Sequence, residues 1–174
     1  CLRELKAAGI TIIYRDINPT PENSRRAEQA GADIIVATGF DEGGTLPGTA
    51  LGTFTIVPLI VDAVQRVPVM AAGGITDDRG APAVHDLGAE GVFDGSVYIS
   101  TTESRDPDSV KAKIVAATGL DLRLFHTLPD YYRALPGMPG EHFDYGEDLV
   151  GTLIERVTHQ VRDALDTGVT PDKI

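Results

Sequence analysis

The 174-residue sequence has a single cysteine, Cys1, and no tryptophan. One thiol cannot close an intrachain disulfide or build a Cys-based metal site, so a reducing, cytoplasmic setting is expected. Positive charge is also scarce: 15 Lys and Arg stand against 26 Asp and Glu, a net charge of −11. Nucleic acid and anionic membrane both call for a basic face, so neither is expected as the main partner. A phosphate-bearing small ligand stays open, because backbone N–H groups hold phosphate without basic side chains. No apolar run is long enough to span a bilayer, and the first residues do not read as a signal segment. The sequence opens on Cys1 and on "LRELKAAG", which reads as the end of a helix, so the fold is expected to be entered partway.

What is present is an alternation. Apolar, β-branched runs at about residues 10–17, 32–39, 67–74 and 90–99 read as strands, the last with a turn to helix open after Gly95. Between them lie helical patterns. Thr20, Pro21 and Gly31 supply cap, first turn and stop for one helix. "FTIVPLIVDAVQ" reads as a second and "TDDRGAPAVHDLG" as a third, with Thr76 or Asp77 as cap. "DPDSVKAKIVAATG" reads as a fourth, capped by Asp106, opened by Pro107 and ended by Gly119. Strands that are apolar on both faces predict a parallel sheet covered by helical crossovers. Four βα units suit an open doubly wound sheet or half of a (β/α)8 barrel; a whole barrel needs about 250 residues. Residues 1–119 form this α/β part. Residues 120–146, rich in proline and tyrosine, read as a surface segment. Residues 147–168 read as an amphipathic helix with Leu149, Leu153, Val157, Val161 and Leu165 in one stripe.

Three of the strands end in glycine, at Gly43-Gly44, Gly73-Gly74 and Gly95. Glycine permits positive φ and close approach of backbone to a ligand. Loops on consecutive strands at Gly73-Gly74 and Gly95-Ser96 predict a phosphate cradle made of backbone N–H groups and the Ser96 hydroxyl.

The segments "GADIIVATGFDEGG", "VPVMAAGGI" and "LGAEGVFDGSVYISTTES", in this order and spacing, closely resemble the nitronate monooxygenases (2-nitropropane dioxygenases). The related flavin-dependent enoyl-acyl-carrier-protein reductases share the pattern. The resemblance covers roughly residues 10–113. It implies the C-terminal half of a TIM-type (β/α)8 barrel, four parallel βα units followed by a C-terminal helical segment, with FMN at the strand ends. It further implies that Gly43 approaches the flavin, and that Gly73, Gly74, Phe93, Asp94, Gly95 and Ser96 form the phosphate loop. Thr38 stands where many relatives carry glutamine and keeps a hydroxyl for the flavin edge. Asp94 is out of keeping with a phosphate neighbour and reads as a strand-end carboxylate turned away from it.

Thr45 stands where many relatives carry the active-site histidine. A threonine hydroxyl is no base near neutral pH, so no residue is assigned a catalytic role. Asp41 and Glu42 lie close by and read as solvated loop carboxylates. His85 and His159 fall on helices away from strand ends, and His126 and His142 flank the proline-rich segment. No His, Asp or Glu spacing suggests a metal.

The resemblance thus implies an FMN-dependent oxidoreductase that oxidises nitronates or nitroalkanes with dioxygen. The absent histidine keeps an NAD(P)H-dependent FMN oxidoreductase, such as an enoyl-thioester reductase, as the alternative. A half-barrel that merely binds a phosphate ligand is the third reading. Its open sheet edges predict self-association or pairing with an N-terminal half.

Overall fold

The computed structural model describes residues 2–126 and 131–136. The chain divides into two compact units, Cys1–Asp106 and Pro107–Ile174.

The first unit opens with α1 (Leu2–Ala7) and β1 (Ile13–Arg15), followed by α2 (Pro21–Ala30), β2 (Ile34–Thr38), a two-residue strand β3 (Gly44–Thr45) and α3 (Thr53–Val61). It continues through β4 (Val69–Ala72), α4 (Gly80–Asp86), β5 (Gly91–Val92) and α5 (Ser96–Ile99). The sheet order is β1-β2-β4-β5 and every pairing is parallel. The expected α/β alternation with a parallel sheet is therefore present.

Alternation along each strand sorts the side chains into two faces. Ile35 and Ala37 of β2 and Val69 and Ala71 of β4 pack with Ile56, Val57 and Ile60 of α3 and with Ala27 of α2. Val36, Thr38 and Ala72 point to the opposite face and are also buried. Along β2 and β4 both faces are covered, as continuous apolar strands require, whereas on β1 the second face is exposed at Ile13 and Arg15.

The strands are shorter than their apolar runs for local reasons. Asp16 ends β1: its carboxylate accepts from the Asn18 N–H at 3.1 Å and from Asn23 Nδ2 at 2.9 Å. That turn leaves Ile17 outside the ladder. Gly73 ends β4 by taking φ +104°. The run at 90–99 is a two-residue strand and then, past Gly95, the one-turn helix α5. Two caps also differ from expectation. α4 starts at Gly80, and Asp77 holds its entry by accepting from Arg79 N–H (3.0 Å) and Gly80 N–H (3.1 Å). Pro107, rather than Asp106, is the cap of the later helix, because the Asp106 carboxylate takes the Ser104 hydroxyl at 2.7 Å instead. α2 matches in full: Thr20 Oγ1 accepts from Asn23 N–H, Pro21 opens the helix, and Gly31 closes it at φ +102°.

In the second unit, α6 (Asp108–Ala116) ends three residues before Gly119, and a 3-10 turn (Gly119–Asp121) follows. The alternation alone assigns α6 to the first unit, as its fourth crossover helix. β6 (Arg123–His126) and β7 (Tyr131–Ala134) pair antiparallel, within a segment whose prolines mask any strand pattern. The expected amphipathic helix at 147–168 lies outside the described residues, as do His142 and His159. Among the described residues, no helix is long and apolar enough to cross a membrane.

Two partly buried carboxylates, Asp33 and Glu28, tie elements together. Asp33 joins α1 to β1 by accepting from the Lys6 ammonium and from the Ile12 N–H. The Lys6 hydrogen bond foremost, then the Ile12 N–H, holds its carboxyl below the usual range. Glu28 is held low in the same way by the Gln65 and Arg66 N–H groups. A depressed folded pKa contributes stability above the unfolded value, and that stability is lost as pH falls through the folded value. Thermal melts should therefore show a melting temperature nearly flat from pH 7 down to about 4.5, falling below that. A decline already under way at pH 6 would contradict this assignment.

Candidate functional site

Because all four strands run parallel, their C-terminal ends share one edge, and each delivers a loop there. Ligands of parallel α/β sheets bind along this edge. β1 delivers Asp16, β2 the loop 39–51, β4 the pair Gly73-Gly74, and β5 the stretch Phe93, Asp94, Gly95 and Ser96.

The loop 39–51 is closed at its base, where the Phe40 N–H donates to the Leu51 carbonyl at 2.8 Å. Leu46 and Pro47 of this loop are buried. The Asn18 side chain accepts from the Gly48 N–H at 2.5 Å. Gly44 sits at φ +82°, a conformation that favours glycine, and turns the chain towards Thr45. Gly43 is exposed beside it.

Thr53, at the start of α3, locks this loop to the next one. Its N–H donates to Asp41 Oδ2 at 2.6 Å and its hydroxyl donates to the Gly73 carbonyl at 2.7 Å. Asp41 is exposed, as a solvated loop carboxylate is expected to be, but it departs from expectation in capping α3: its side chain replaces the missing cap of Gly52. Glu42 also departs from expectation. It is 8% exposed and ion-paired with Arg15 of β1. Thr53 and Arg15 carry almost no mark of these roles in the sequence, since both act on partners far along the chain. The one local hint was a threonine directly after Gly52, in a helix-start position.

The site residues expected from sequence lie along this edge. Thr38 ends β2 and is 1% exposed, and its hydroxyl has no hydrogen-bond partner among the described residues. Thr38 pairs in register with Ala72, and Ala71 with Val92. Thr38, Ala72 and Phe93 therefore form a row on the face away from α2 and α3. Gly73 and Gly74 both have positive φ, at +104° and +69°. A Cβ on Gly73 would meet the Gly39 carbonyl at 2.9 Å, and one on Gly74 would meet Asp41 Cβ at 3.0 Å. Packing against the neighbouring loop is thus reason enough for both glycines. Gly95 differs: a Cβ there would meet nothing within 4 Å. Asp94 is half-buried, and burial pushes its carboxyl above the usual range. Ser96 is exposed and opens α5, where first-turn N–H groups have no intrahelical partner. His85 is exposed on α4. No group of three or more potential metal ligands clusters among the described residues.

A parallel sheet whose glycine loops and short helix start share its C-terminal edge places the chain among the parallel α/β proteins. The chain belongs to the nitronate monooxygenase family of oxidoreductases, whose model matches residues 1–164. It is 32% identical over 161 residues to the nitronate monooxygenase of Pseudomonas aeruginosa, covering 79% of this chain and 44% of that one. Among solved structures it resembles FabK from Thermotoga maritima. The TM-score is 0.72 at 30% identity, over 94% of this chain and 49% of that one. It also resembles nitroalkane oxidase from Streptomyces ansochromogenes, with TM-score 0.64 at 29% identity over 77% of this chain and 41% of that one. The chain spans less than half the length of these relatives.

The residues present fit the flavin mononucleotide that this family implies. Thr38 offers an orphaned, buried hydroxyl at a strand end, a position that normally demands a partner. Gly95 and Ser96 offer open space and a helix start for a phosphate.

Proposed function

We propose that this chain is the FMN-binding portion of an oxidoreductase that oxidises nitronates or nitroalkanes with dioxygen. In this reading its four strands are the fifth to eighth of a TIM-type barrel and their shared edge is the barrel mouth. The single observation that carries the reading is the unpartnered Thr38 hydroxyl, buried in the same edge as the open Gly95-Ser96 helix start. Thr38 would hydrogen-bond a flavin edge. Gly73, Gly74, Gly95 and Ser96 would hold the phosphate, Phe93 would pack beside it, and Gly43 would face the ring. When bound, FMN supplies the two-electron redox chemistry, and the chain supplies position and exclusion of water. Partners in this reading are a small-molecule substrate, dioxygen and a second copy or an N-terminal half of the barrel, in the cytoplasm.

Visible absorption after incubation with FMN and desalting tests it. Flavin bands that survive desalting, with oxygen uptake on adding a nitronate, are expected; a protein that stays colourless in every form would sink the proposal. An NAD(P)H-dependent flavin reductase is the second reading. The FabK likeness and the absence of histidine at Thr45 favour it, and turnover with NADH but not with nitronate would select it. Retained phosphate ligand with neither activity would select a non-catalytic binder.

Asp94 gives a further expected result. Its carboxylate follows Phe93 and precedes the phosphate-holding glycine, and burial already favours its protonated form. Asp94→Asn should tighten FMN binding about threefold at pH 7, the scale of one screened like charge. The two proteins should converge as pH falls and the wild-type carboxyl protonates. Equal or weaker binding by the variant at pH 7, read by fluorescence titration, would mean that Asp94 faces away from the phosphate.

A further inference from the structure

Arg15 is the last residue of β1 and stands in register with Val36. It therefore shares the face of Val36, Thr38 and Ala72, away from α2 and α3. Its side chain remains 37% exposed, whereas that of its ion-pair partner Glu42 is 10% exposed. The carboxylate thus sits inside and the guanidinium on the open side. A guanidinium carries five N–H donors in a rigid plane. Among the described residues, its hydrogen bond is the one from Nη2 to Glu42 Oε2. Glu42 is itself fixed, because its N–H donates to the Gly39 carbonyl at 3.2 Å and its loop is closed at Phe40 and Leu51.

The surroundings make this cation distinctive. The loop 39–51 contains no Lys, Arg or His, and Arg79 after β4 is already bound to Asp77 by two side-chain hydrogen bonds. In a chain of net charge −11, an anion reaching this edge is repelled by the overall field and needs a specific partner.

We propose that Arg15, held in place by Glu42, is a specificity-determining residue that anchors a planar two-oxygen anion, the chemistry shared by a nitronate and a carboxylate. The fork geometry of the guanidinium matches such a group through paired N–H donors. The role in turnover rests on the flavin-enzyme reading above, but anion binding can be measured independently of it.

Calorimetric titration of the full chain with sodium benzoate, and with neutral benzamide as control, reads the anchor whatever the flavin content. Benzoate should bind and benzamide should not. Arg15→Lys, which keeps the charge but loses the fork, should weaken benzoate about tenfold, as the loss of a charge-assisted hydrogen bond does. The paired variant Arg15→Met with Glu42→Leu removes both charges, so no buried carboxylate is left without its cation. It should melt cooperatively and fail to bind benzoate. Equal benzoate affinity in wild type and both variants, or none in wild type, overturns the anchor. A yellow wild type indifferent to Arg15 overturns this inference alone. A protein that stays colourless in every form yet binds benzoate through Arg15 overturns the flavin reading and supports the anchor.

Discussion

Gly39→Ala should lower the stability of the first unit by about 3 kcal/mol or more, read as the urea midpoint of unfolding. A Cβ at this position would lie 2.2 Å from Thr53 Oγ1, 2.4 Å from its backbone nitrogen and 2.6 Å from its Cα. Two of these are backbone atoms, so no rotamer change relieves the clash. Thr53 cannot move alone, because its N–H is held by Asp41 and its hydroxyl by Gly73. Displacing it would pull α3 from β2 and β4, against which Ile56, Val57 and Ile60 are packed. Gly95→Ala is the matched control. Gly95 has negative φ and open space around it, so its stability should change by less than about 1 kcal/mol. Equal midpoints for the two variants would show that the edge yields locally and that the interlock at Thr53 is loose.

This contrast marks where the sequence is readable. α2 is legible because its cap, its proline and its left-handed stop are all local choices. The parallel sheet is legible because strands buried on two faces must be apolar throughout. The edge is only half legible. That glycines gather there can be read, since loops after strands of this kind need them. Which glycine answers to a ligand and which to packing cannot, because Gly39, Gly73 and Gly74 are constrained by Thr53 and Asp41, reached only once the loop has closed. Glu42 illustrates the same limit: a carboxylate between an aspartate and two glycines reads as solvated until β1 places an arginine beside it. The antiparallel pair of β6 and β7 is set by pairing between strands rather than by the pattern within either one.

Thr38→Val should raise the stability of the flavin-free protein by about 1 kcal/mol and weaken FMN binding about tenfold or more. The two effects have one origin. The Thr38 hydroxyl is 1% exposed by residue and unpartnered among the described residues. Burying a hydroxyl without a hydrogen bond is unfavourable, and an apolar group of the same shape removes that penalty. Valine keeps both branches at Cβ, so packing against Ala72 in the neighbouring strand is preserved. In the flavin-bound protein the same hydroxyl gains its partner, and its loss there leaves a polar flavin atom unpaired. Opposite signs in a thermal melt without FMN and a binding titration with it would identify Thr38 as a position held polar for its ligand. A variant that is destabilised without FMN and binds it normally would instead make Thr38 part of the core, and the flavin would have to rest on the Gly95-Ser96 end of the edge alone.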